Sequence, residues 1–136
     1  MRKTVMRNPR LRPGSILGFT LIELLVVMAI IATLLALAAP RYFQHVDRSK
    51  EAVLRENLTV MRDAIDQYHA DRGVWPDSLQ TLAEARYLRR VPVDPVTGRA
   101  DTWVEVPTLE EGASGIQDVK SGAEGQTADG SPYGGF

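Results

Sequence analysis

One carboxylate, Glu23, stands inside an otherwise uncharged apolar run from Phe19 to Ala39. Placing an ionisable group among lipid chains costs about 2.5–3.5 kcal/mol on insertion scales, so a chain that keeps one there gives it a partner or a task. Immediately ahead of the run is a Gly18-Phe19 junction, and ahead of that lie Arg2, Lys3, Arg7, Arg10 and Arg12 with no acidic residue among them. A cut at that junction would remove the basic segment, keep the apolar one, and free an amine four residues from the carboxylate.

The elements that must position these groups follow from length and pattern. The run holds 21 residues, and at about 1.5 Å per residue a helix of that length reaches about 32 Å, enough to cross a hydrocarbon core of about 30 Å. The basic segment holds the N-terminus in the cytoplasm by the positive-inside rule, which puts everything after Pro40 in the opposite compartment. A secretory signal carries its small-residue cleavage site after the apolar stretch, whereas here the distinctive junction precedes it. Cleavage therefore leaves the anchor in place.

Gly18-Phe19-Thr20-Leu21-Ile22-Glu23 resembles the prepilin signature of type IV pilins and type II secretion pseudopilins. The resemblance implies cleavage after Gly18 by a membrane aspartyl peptidase, N-methylation of Phe19 by the same enzyme, and an assembly role for Glu23. When subunits pack side by side, the buried Glu23 of one chain can meet the Phe19 ammonium of a neighbour, each offsetting the other's desolvation only in register. The plainer reading is a glutamate tolerated near the cytoplasmic interface by snorkelling or protonation.

Composition bounds the rest. Of 136 residues, 18 form the leader, and five of the 16 Lys and Arg lie in it, so the mature chain carries 11 basic against 17 acidic groups, a formal −6. That balance argues against a general nucleic-acid surface, which leans on clustered Lys and Arg. There is no cysteine, although the domain is expected in a compartment where disulfides persist. Many type IV pilins close a C-terminal loop with a disulfide, so its absence tilts the resemblance toward the pseudopilins.

Beyond Pro40, which is expected to kink the helix, Leu54, Leu58, Met61, Ile65 and Tyr68 recur at spacings of four, three, four and three. This is one apolar helical face, with Arg48, Lys50, Glu51, Arg55, Glu56, Arg62, Asp63 and Asp66 on the other. Gly73 is the expected C-cap, and Val74-Trp75-Pro76 blocks continuation. Asp77-Ser78, with Gln80 or Thr81 behind it, reads as an N-cap for a short helix carrying Leu79, Leu82, Ala83 and Tyr87-Leu88. Extended segments follow at 102–106 and 116–120, with turns at Asp94-Pro95 and Thr97-Gly98.

The expected fold class is α+β: a long N-terminal helix, half transmembrane and half amphipathic, packed on an antiparallel sheet of two to four strands with a short second helix. The expected domains are a cleaved cytoplasmic leader at 1–18, a transmembrane and filament-core helix at 19–39, an amphipathic periplasmic helix at 40–72 and a small periplasmic domain at 73–136. The order Tyr68, Gly73, Trp75-Pro76, Leu79, Leu82, Tyr87-Leu88, Pro92, Asp94-Pro95 and Gly98 resembles the G-type, or major, pseudopilin of type II secretion. Two features depart from that pattern. The leader is long, with Met6 as an alternative start leaving 13 residues, and 101–136 is short and glycine-rich.

What the resemblance implies is a non-enzymatic subunit, anchored by a single pass in the inner membrane and then polymerised into a periplasmic pseudopilus that drives protein export across the outer membrane. Its partners are the prepilin peptidase and methyltransferase, copies of itself, other pseudopilins, and an inner-membrane assembly platform powered by a cytoplasmic ATPase. Major pseudopilins bind calcium in a loop of the C-terminal region. The matching oxygen donors here are Asp118, Ser121, Glu124 and Asp129, although their spacing fits no EF-hand and the plainer reading is a polar surface loop whose carboxylates touch only solvent.

Other constellations are poorer. His45 and His69 lie 24 residues apart with no carboxylate pattern for a metal or triad, and His69 near a helix end reads as a surface or capping residue. Trp75 and Trp103 read as core pieces rather than ligand-stacking rings. The glycines of 112–125 lack the lysine and the strand-loop-helix setting of a phosphate-binding loop. Arg86, Arg89 and Arg90 form a small basic cluster of the kind a solvated helix end favours. Two other classes stay open: a type IV or minor pilin serving adhesion, motility or DNA uptake, and a plain membrane-anchored enzyme or binding protein.

Overall fold

A computed structural model describes residues 1–2, 14 and 17–136. Most of the expected leader, including Lys3, Met6, Arg7, Arg10 and Arg12, lies outside the described residues. Helix α1 runs Leu21–Arg72 with Pro40 inside it, α2 runs Leu79–Glu84, β1 is Val104–Pro107 and β2 is Ile116–Lys120. A single 3-10 turn follows at Tyr133–Gly135. The chain divides into two compact units, residues 1–38 and residues 39–136.

In the second unit, the apolar stripe read from the sequence is the stripe that is buried. Leu54, Leu58, Met61, Ala64, Ile65 and Tyr68 of α1 pack with Leu79 and Leu82 of α2, with Leu88 and Trp103, and with Ile116 and Val119 of β2 in one core. Burying each large aliphatic side chain is worth about 1.5–3 kcal/mol. The core thus closes on a single face of α1. Arg62 links that helix to β2 directly, donating from Nε to Asp118 Oδ1 at 2.7 Å and from a terminal nitrogen to the Val119 carbonyl at 2.9 Å.

Gly73 closes α1 as expected, at φ 69° with its N–H still on the His69 carbonyl at 2.8 Å. Ser78 caps α2 by accepting from the Thr81 N–H. The second helix is shorter than the sequence reading had it, stopping at Glu84 so that Tyr87 and Leu88 lie beyond it. The reason is Arg86, held at φ 63°. Its N–H reaches the Ala83 carbonyl and the Tyr87 N–H reaches that of Leu82 at 2.9 Å, the paired bonds of a Schellman ending with arginine where glycine is usual. The reversal drops Leu88 into the core and sets Tyr87 edge-on to Tyr68, ring centroids 5.3 Å apart.

The sheet has two antiparallel strands, with Val104 opposite Lys120, Glu105 opposite Val119 and Val106 opposite Asp118. The first strand starts two residues later than the pattern suggested, because Trp103 turns inward and donates its indole N–H to the Pro92 carbonyl at 2.7 Å. After β2 the chain passes so close to Thr102 that a Cβ at Gly122 would sit 2.0 Å from its carbonyl oxygen. Only glycine fits there.

Candidate processing and assembly site

Gly18 and Phe19 lie exposed and outside any regular element, immediately before α1. A peptide bond there is available to a peptidase without unwinding a helix. The helix itself starts on Thr20, whose hydroxyl accepts the Glu23 N–H at 3.2 Å. Thr20 and Glu23 therefore stand at the N-cap and N3 positions of a capping-box spacing. The sequence reading missed this role for Thr20, although the Thr-x-x-Glu spacing announces it. Glu23 sits in the first turn, where the partial positive charge of unpaired N–H groups favours a carboxylate.

From Leu21 to Ala39 every side chain is exposed in the single chain, Leu21 by 77% and Leu34 by 61%. By length and composition the helix can cross a membrane, and none of its most apolar window is buried. The one hydroxyl of residues 21–39, on Thr33, is satisfied within the helix by donating to the Ala29 carbonyl at 2.8 Å. Phe19, Thr20, Leu21, Glu23, Leu24 and Val27 line a shallow, mostly apolar groove at the helix start. A surface like this has to be covered, by lipid or by other chains.

The four calcium candidates are not gathered into a ligand shell. Asp118 Oδ1 takes both Arg62 Nε and the Val119 N–H. The Ser121 hydroxyl donates to Asp94 Oδ2 at 2.7 Å and accepts from the Ala123 N–H. Asp129 accepts from the Thr127 hydroxyl and the Ser131 N–H, and the hydroxyl holds its carboxyl below the usual range. Glu124 is exposed. Among the described residues no three His, Cys, Asp or Glu side chains come together as metal ligands.

Asp94 is the residue whose importance the turn pattern hid. It is wholly buried; its Oδ1 accepts the Val96 N–H at 2.8 Å and the Thr97 N–H at 3.3 Å, and its Oδ2 takes the Ser121 hydroxyl. The 94–99 turn and the strand-exit loop are thereby joined through one carboxylate. Nearby, Asp47 and Glu51 of α1 face Gln126, Thr127 and Tyr133 across a polar hollow of about 430 Å³, bridged where the Ala128 N–H donates to Glu51 at 2.7 Å. Burial, then the charges of Glu51, Asp47 and Asp94, push the Tyr133 phenol up from its ordinary value.

His69 does not serve as a surface or capping group. Its ring lies flat on Trp75, centroids 3.8 Å apart at 6°, with Nδ1 buried and unpartnered, while Trp75 donates to Glu110 at 3.1 Å. His45 is exposed. Trp103 is core and Trp75 packs against the core, as their pattern implied. Arg86, Arg89 and Arg90 are exposed, and the ion pairs among the described residues involve other side chains.

The prokaryotic N-terminal methylation motif matches residues 15–39. The fimbrial protein EcpC of Eikenella corrodens is 31% identical over 121 residues, covering 84% of this chain and 77% of that protein. The type II secretion system core protein G of Klebsiella michiganensis is 30% identical over 104 residues, covering 65% of this chain and 73% of its own. The core protein G of Pseudomonas aeruginosa is 31% identical over 94 residues, covering 57% and 66%. No solved structure matches significantly.

Proposed function

This chain belongs to the type IV pilin-like family as a G-type pseudopilin, and from that premise we propose that it is a structural filament subunit that is processed, stored in the inner membrane and then polymerised. A prepilin peptidase cuts after Gly18 and methylates the Phe19 amine. The domain from about residue 40 onward faces the periplasm, and the assembled pseudopilus helps move folded proteins across the outer membrane. Its partners are copies of itself, other pseudopilins and an inner-membrane assembly platform.

The observation that carries this reading is the apolar helix with no covering of its own, attached to a domain that completes a core from a different stretch of the same helix. Lipid covers that helix in the stored subunit and neighbouring helices cover it in the filament. Hydrophobicity alone does not favour one cover over the other, since lipid tails are as apolar as leucine. Glu23 supplies the difference, because its charge is offset in the filament by the Phe19 ammonium of an adjoining copy.

The test is the intact mass of membrane-extracted protein made with and without an active prepilin peptidase. The reading requires a chain that begins at methylated Phe19 only when the peptidase is present. Retention of residues 1–18 beside an active peptidase overturns it. Glu23→Ala separates assembly from processing: the registry role is sunk if that variant polymerises at the wild-type level. A fimbrial pilin is the second reading, favoured by the extent of similarity to the Eikenella fimbrial protein, and long surface fibres with normal export would select it.

A further inference from the structure

We propose that Tyr42 and Phe43 form an aromatic anchor at the periplasmic headgroup layer that fixes the depth of the membrane helix and so presents the Gly18-Phe19 bond to the peptidase. The inference rests on the membrane-stored state proposed above. Among the described residues the exposed Phe, Tyr and Trp rings are Phe19, 87% exposed, Tyr42, 66%, and Phe43, 63%. They sit at the two ends of the apolar run and nowhere else. Tyr42 and Phe43 pack edge to face, centroids 5.9 Å apart at 72°, with Arg41 exposed beside them and a largely charged or polar helix face after them.

An exposed aromatic pair in water is unfavourable, and it finds no cover in the domain's own core. The headgroup layer is the medium that suits such rings, as the aromatic belts at both faces of membrane proteins show. Continuity with the apolar run puts them there: Ala39 ends the run and Tyr42 follows three residues later. Spacing then fixes the other end. Nineteen residues separate Tyr42 from Glu23, about 29 Å of helix, against a hydrocarbon thickness of about 30 Å. With the rings at one boundary, Glu23 comes level with the other rather than with the bilayer centre, and the Gly18-Phe19 bond emerges among the cytoplasmic headgroups.

The test uses the full chain, leader included, in vesicles of phosphatidylethanolamine and phosphatidylglycerol. The absence of native cysteine allows a nitroxide at Ile22→Cys, whose collisions with oxygen and with a water-soluble nickel complex report depth. Replacing both rings (Tyr42→Ser with Phe43→Ser) frees the basic leader to draw the helix toward the cytoplasm. The label should rise by about 5 Å, one helical turn, and cleavage by added prepilin peptidase should slow severalfold. Tyr42→Trp with Phe43→Trp should restore both.

Unchanged depth and cleavage in the serine pair overturn the proposal. If those two readouts hold while filament yield falls, the rings pack on a second copy instead, and the anchor is equally overturned. Failure of the parent reading looks different: the chain with its native aromatics would itself go uncleaved or leave the label outside the bilayer, whereas the anchor is read from the difference between variants.

Discussion

Replacing Asp94 by alanine should strongly destabilise the unit formed by residues 39–136. The carboxylate is wholly buried and holds three donors, the Val96 and Thr97 N–H groups and the Ser121 hydroxyl. Hydrogen bonds to a charged group contribute about 1.5–3 kcal/mol each, and a buried donor left without a partner costs about 1–3 kcal/mol. Allowing for water entering the space left behind, the loss should be about 3–4 kcal/mol. That is a large part of the 5–15 kcal/mol on which a domain of this size rests. Asp94→Asn keeps an oxygen for the two backbone donors and should cost about 1 kcal/mol. Ser121→Ala removes one bond and should cost about 1–1.5 kcal/mol. Combined with Asp94→Ala it should cost less than the sum by about 1 kcal/mol, because the two groups share that bond. Urea unfolding of the full chain in constant detergent, followed by tryptophan emission, measures all four, since Trp103 bonds to Pro92 two residues away. If Asp94→Ala lies within 1 kcal/mol of wild type, or if Asn and Ala are equally destabilised, the carboxylate is not what joins the two loops.

Arg86→Gly should raise stability by about 0.5–1 kcal/mol, because glycine takes the left-handed ending without steric cost; Arg86→Ala should not, and equal effects in the same urea assay would refute the strain argument. Thr20→Val removes the hydroxyl that caps Glu23 and should loosen the first turn of α1, seen as faster amide exchange at Glu23 and Leu24 in detergent, an effect Thr20→Ser should not produce. At alkaline pH the Tyr133 phenol, whose folded pKa is raised, resists ionising while the unfolded chain's phenol ionises near its ordinary value. Stability from this group is thus complete below about pH 10 and is lost as pH rises through the folded value. Tyr133→Phe should flatten that alkaline decline, and an unaltered slope would show that another group carries it.

The parts legible in the sequence were those with a strong local signal. The apolar run, the 54–68 stripe, the Gly73 ending and the Ser78 cap depend on spacing within one or two helical turns, and the folded chain uses each of them. What could not be read depends on partners distant in sequence. Asp94 looked like a turn residue because its third partner, Ser121, is 27 positions away. Asp118 and Ser121 looked like free oxygen donors because Arg62 and Asp94 claim them only after the chain has folded. Arg86 hid the end of α2 because arginine carries no turn signal, and only the core's demand for Leu88 forces the reversal. His69 found Trp75 across the Gly73 turn, a stacking that neither residue type specifies.

Glu23 illustrates why a subunit of this kind can wait in the membrane before it assembles. A carboxylate with no partner at the bilayer centre would either protonate or pull the helix out of place. In the first turn of α1 it has a resting environment: Thr20 caps its N–H, and unpaired N–H groups of a helix start suit a carboxylate. Insertion at the bilayer centre costs about 2.5–3.5 kcal/mol, so on the proposed mechanism the first turn of the resting subunit sits near the boundary. Depth and charge are therefore coupled. On the proposed mechanism, processing removes the basic leader and places a methylated ammonium on Phe19 that pairs with the Glu23 of an adjoining copy, while hydrophobicity alone does not favour exchanging lipid for a neighbour. That charge pair then decides in what register the subunit joins, which accounts for a single acid in a run otherwise free of charge.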